Sequence, residues 1–131
     1  MGCERYDWLS GLCRRLHHIL QVRLSRRIEY DLRLAEEATR NSVAMLEHGC
    51  AGHFTDLGEV GPYGKDEVTT QTTAFFDDEG AMQRVADSWT EHDGPDFKHR
   101  DALARRTRIG IGFAFSDKDS IPVLYCTARL E

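Results

Sequence analysis

Thr107-Arg-Ile-Gly-Ile-Gly-Phe-Ala-Phe-Ser116 alternates bulky with tiny residues: Ile109, Ile111, Phe113 and Phe115 fall on one side, Gly110, Gly112 and Ala114 on the other. Successive side chains of a strand point to opposite faces of its sheet, so this period of two reads as a strand. The glycine face has no bulk of its own, and another element's backbone must approach it closely. The segment therefore predicts a sheet held between two layers.

Apolar periodicity supplies those layers. Leu9, Leu12, Cys13, Leu16, Ile19 and Leu20 recur at helical spacing and predict an amphipathic helix over residues 5–24, with Arg14, Arg15 and His18 on its outer face. A second helix starts at an Asp31 N-cap and stops at Gly49, with Leu32, Ala35, Ala38, Ser42, Met45 and Leu46 as its inner face. Residues 49–66 hold Gly49, Gly52, Gly58, Gly61, Pro62 and Gly64 and read as a loop containing His53. Val68–Phe76, rich in β-branched and aromatic residues, predicts a strand. Asp77 or Asp78 caps a third helix with a Met82, Val85, Ala86 and Trp89 stripe, broken at Gly94-Pro95. The Thr107–Ser116 strand and a last strand over Ile121–Ala128 are joined by a turn short enough to make them antiparallel. The order ααβαββ predicts an α+β fold, a three-layer α-β-α sandwich with a small antiparallel sheet, built as one domain over residues 1–131.

Charge narrows the partners. The chain has 131 residues and a net charge of −5, distributed unevenly. Residues 1–27 carry six arginines against Glu4 and Asp7, which leaves 11 basic and 20 acidic residues for the main body. An acidic body argues against a nucleic-acid partner. No apolar run reaches the ~18 residues of a membrane span, so no membrane insertion is expected. Arginines interrupt the apolar stretch near the start, so no signal peptide is read, and the expectation is a cytoplasmic chain or one from which a signal was removed. Cys3, Cys13, Cys50 and Cys126 are scattered and form no CxxC pair, which predicts free thiols.

Six histidines are the main carriers of possible chemistry. His53 and His99 each fall in irregular chain after a helix, the kind of place where binding residues gather. Asp56, Glu59, Glu91, Asp93, Asp96 and Asp101 are the nearby carboxylates. Two imidazoles and a carboxylate could hold a divalent metal such as zinc with an open coordination position. There is no HExxH, no G-x-S-x-G and no phosphate-binding glycine loop. No catalytic residue is assigned.

Glu29-Tyr-Asp-Leu-Arg-Leu-Ala-Glu-Glu-Ala38, Met45-Leu-Glu-His-Gly49 leading to His53, Val85 to Trp89, Gly94-Pro95, His99-Arg100 and Arg108-Ile-Gly-Ile-Gly-Phe-Ala114, taken in order, resemble the CAP superfamily and its prokaryotic SCP-like members over residues 16–128. The resemblance implies an α-β-α sandwich with a central cavity lined by two histidines, at the positions of His53 and His99. It also marks departures. The family's Gly-Glu-Asn segment before the third helix is replaced by Val68–Phe76, the place of a second glutamate is taken by His92 with Glu91 one residue early, and the Ser-Pro-Gly-His run is loosened to Gly94–His99. The expectation is thus a non-enzymatic binding domain, its cleft flanked by His53, His99, Glu91 and His92, for a small apolar or peptide-like ligand. The alternative is a metal-dependent hydrolase using His53, His99 and Glu91.

Overall fold

The computed structural model describes residues 2–55, 66–73, 77–91, 98–117 and 121–131. Its elements are α1 (Gly2–Leu24), β1 (Glu29–Tyr30), α2 (Leu32–His48), β2 (Asp66–Thr73), α3 (Asp78–Thr90), α4 (Lys98–Arg105), β3 (Arg108–Ser116) and β4 (Val123–Leu130). The four strands form one sheet in the order β1-β3-β4-β2. The three long strands are antiparallel, as expected, and β1 adds a two-residue parallel edge on β3 that the sequence pattern does not announce. The fold is α+β, with α2 on one face of the sheet and α1 and α3 on the other.

Register assigns each side chain its layer. Gly112 of β3 pairs with Thr127 of β4, which pairs with Thr69 of β2, and this row faces α2. The glycines are required there. A Cβ on Gly110 would lie 2.0 Å from the Ala35 backbone nitrogen, and one on Gly112 2.3 Å from that of Thr39. On the opposite face Ile109, Ile111 and Phe113 join Leu12, Leu16, Leu20, Met82, Val85 and Trp89 in one core. Trp89 is buried as its stripe predicts, on the face away from the glycines, and its indole N–H donates to the Thr69 carbonyl at 3.2 Å. Arg84 Nη2 likewise donates to the Thr73 carbonyl, at 2.8 Å. Both of these carbonyls belong to β2, an edge strand.

Capping explains the limits of α2. The Asp31 carboxylate accepts from the amides of Arg33 and Leu34, and Gly49 closes the helix in the left-handed region at φ 75°. The inner face of α2 differs from the expected one. Leu32 is 76% exposed, and the buried residues are Leu34, Glu37, Ala38, Asn41, Ser42 and Met45. The last strand also shifts, running to Leu130 and leaving Ile121 exposed. Ala74–Phe76, Gly94-Pro95 and residues 118–120 of the turn lie outside the described residues.

The arginines of α1 do more than form a solvated face. Arg23 reaches Asp87, Gln83 and Glu91 on or beside α3, Arg15 pairs with Glu79, and Arg26, just beyond the end of α1, donates to the carbonyls of Leu103 and Ala104 at the end of α4. These contacts fasten α1 to its neighbours by charge as well as by its leucines. No helix among the described residues is long and apolar enough to cross a membrane.

Candidate functional site

His53 lies in the segment that leaves α2, and that segment is held tightly. Asn41, fully buried, donates to the Gly52 carbonyl at 2.9 Å while its Oδ1 accepts from the Phe54 amide at 2.9 Å. Ala51 N donates to Gln71 Oε1 on β2, and Gly52 N to Met45 Sδ. Phe54 stacks on His48 with ring centroids 4.1 Å apart. The residues that follow the helix are thereby fixed against the sheet without regular structure of their own.

The His53 imidazole joins a run of charged side chains that leads into the interior. Its Nδ1 is 2.6 Å from Oε1 of Glu67, which is 0% exposed. Glu67 Oε2 accepts from Arg129 Nη1 at 3.3 Å, and Arg129 Nε lies 3.5 Å from Glu37 Oε1. Glu67, Arg129 and Glu37 occupy β2, β4 and α2 and meet under α2, where the adjoining row is also polar: Ser42 Oγ bonds Thr127 Oγ1 and the Gly112 carbonyl. A buried ion is tolerated only when paired and hydrogen-bonded, so these groups depend on one another. Sequence pattern alone does not single out Glu67 or Arg129. The signal that could find them is a charged residue at an inward strand position, visible only once register is known.

The remaining candidates are placed as follows. His99 is in the first turn of α4, a helix, which corrects the expectation of irregular chain there. Ala102 and Leu103 of α4 pack into the α1–α3 core, so His53 and His99 come from elements on opposite layers, with edge strand β2 contacting α4 and carrying Glu67. Glu91 caps α3, its side chain 60% exposed and 3.8 Å from Arg23, in the seam between α1 and α3. His92, Asp56, Glu59, Asp93 and Asp96 lie outside the described residues. Among the described residues, no group of three or more His, Cys, Asp or Glu side chains could hold a metal ion. Within that set, a metal at His53 would have one imidazole whose Nδ1 is already bonded to Glu67.

The thiols are free among the described cysteines Cys13, Cys50 and Cys126. Burial pushes the Cys13 thiol up to about 12, and burial raises that of Cys126 as well. Burial thus disfavours the thiolate, the reactive form, at both.

No family model matches the chain, and no curated protein matches it. Among solved structures it is similar to an outer surface protein from Borrelia burgdorferi, at 15% sequence identity, covering 96% of this chain and 90% of that chain, with a TM-score of 0.47. A likeness this loose carries no argument about function.

Proposed function

We propose that the chain is a CAP-like binding domain whose ligand cleft is centred on His53, with His99 of α4 contributing from the far side of edge strand β2, and that it takes a small apolar or peptide-like ligand without chemical conversion. The observation that supports this reading is the coupling of a surface imidazole to a fully buried carboxylate, in a segment pinned by hydrogen bonds. Such fixing of side chains before a ligand arrives lowers the entropic cost of binding. Phe54, 38% exposed and stacked on His48, places an apolar ring next to the imidazole in sequence. The order of the CAP-like segments supports the same placement.

A second reading, a metal-dependent hydrolase, draws on the same bond, because metal-ligating and general-base histidines commonly hand their other ring N–H to a carboxylate. Calorimetric zinc titration separates the two. The binding reading expects no submicromolar zinc affinity, and such an affinity, lost in both His53→Ala and His99→Ala, would overturn it. The binding reading is tested directly by amide NMR with a set of short apolar peptides. Shifts confined to residues 50–55 and α4 support it, and their absence with every peptide refutes it.

A further inference from the structure

A separate groove lies at the far end of α1, where it crosses the start of α3. It encloses about 300 Å³ and is lined by Asp7, Trp8, Gly11, Leu12, Arg15, Asp78, Glu79 and Met82. Buried Leu12 and Met82 give it an apolar floor. The Trp8 indole forms a wall and is held in place from two sides, by its N–H bond to Asp78 Oδ2 at 3.0 Å and by edge-to-face contact with Phe115 at 5.1 Å between centroids. Among the described residues the rim carries the carboxylates of Asp7, Asp78 and Glu79 and the Arg15 guanidinium, which is paired with Glu79.

Gly11 is the second observation. Glycine weakens the interior of a helix, and Gly11 sits well inside the 23-residue α1. Unlike Gly110 and Gly112, it is not forced by a neighbour: a Cβ there would meet nothing nearer than Arg14 Nη2 at 4.0 Å. Its missing side chain deepens the groove beside Trp8. We infer that this groove is a binding site for a small organic cation with an apolar body, such as an aryl or quaternary ammonium compound. The apolar part rests on Leu12, Gly11 and Met82, and the positive charge lies beside Asp7 and Asp78 against the indole, where an ammonium gains from both carboxylate and ring. Glu79 and Arg15 balance each other at the edge of the groove, the guanidinium, helped by Gln83, lowering the Glu79 carboxyl to about 2.

The test is an amide and indole NMR titration of the whole chain with benzyltrimethylammonium, followed at the Trp8 indole N–H and the Gly11 amide. Benzyl alcohol serves as the neutral comparator and benzoate as the anionic one. The site predicts saturable shifts with the cation, affinity for the alcohol lower by about tenfold or more, and no saturation with benzoate. Asp7→Asn weakens the cation severalfold. Gly11→Leu fills the groove and abolishes the shifts at Trp8 while leaving the spectrum of β3 and β4 unchanged. Benzoate binding as well as the cation, retention of full affinity in both Asp7→Asn and Gly11→Leu, or no saturable shift with the cation would each overturn the assignment.

Discussion

Adding one methyl group at Gly112 tests the central packing claim. The Cβ of Gly112→Ala would sit 2.3 Å from both the amide nitrogen and Oγ1 of Thr39, and 2.5 Å from its Cα. Ordinary contact begins roughly 1 Å further out, and two of these three atoms are helix backbone that no rotamer change can move. Relief therefore requires α2 to lift from the sheet, straining the Ser42 bond to the Gly112 carbonyl at 2.7 Å. Overpacking typically costs about 1–3 kcal/mol, and contact with rigid backbone places this case near the upper end, about 3 kcal/mol. For a domain of this size that lowers the thermal midpoint by about 10 °C. Gly11→Ala is the control, since its Cβ enters open space within a helix and should stabilise by about 0.5–1 kcal/mol. Differential scanning calorimetry of the two variants gives shifts of opposite sign. A Gly112→Ala midpoint equal to that of the parent would refute the contact between α2 and the glycine face.

Arg129→Met removes the cation between Glu37 and Glu67 and should cost about 3–5 kcal/mol in urea unfolding at neutral pH, whereas a loss below about 1 kcal/mol would mean that the two acids do not rely on it. Asp31 is held below the usual carboxylate range by the amides of Leu34 and Arg33, so its cap contributes stability above its unfolded pKa that is lost as pH falls through the lower folded value. The melting difference between the parent and Asp31→Ala should accordingly shrink as pH is lowered through that range; a difference that grows on acidification would contradict the cap. In a Cys3→Ser background a thiol reagent should modify exposed Cys50 first and reach Cys13 and Cys126 only on unfolding. Equal rates at Cys13 and Cys50 would count against the burial of Cys13.

Elements with a local signature are legible in the sequence. The alternation of Ile109 to Phe115 announces a strand covered on both sides, Asp31 and Gly49 bracket α2, and the Met82–Trp89 stripe marks α3. What depends on register is not legible. The two residues of β1 are too few for a pattern, and α4 shows only Ala102 and Leu103 as buried apolar positions among charged residues, so it reads as a connection. Spacing turns Leu32 inward, yet it is the first residue of its helix and remains solvent-exposed. His53 stands out by its setting, but its partner Glu67 looks like any charge at the start of a strand. Only pairing with Arg129 across the ladder reveals that Glu67 faces α2. The arginines of α1 read from spacing as part of an outer face, yet Arg15 and Arg23 are spent on holding α1 to α3.

The bonds from α3 to β2 bear on what the sheet can do in a crowded solution. A border strand is a template on which a second chain can continue the ladder, the usual first step toward intermolecular β-structure. Thr69 and Thr73 are an even number of positions apart, so their carbonyls face the same side of the strand, and both already accept N–H donors from Trp89 and Arg84. A newcomer pairing along that side would have to displace an indole sealed in the core and a guanidinium fork that also bonds the Thr72 hydroxyl at 2.9 Å. At the other border β1 offers two residues, too short a template to seed growth. Trp89 therefore occupies a ladder acceptor of the border strand as well as filling the interior, and replacing it with phenylalanine would leave the Thr69 carbonyl without that donor.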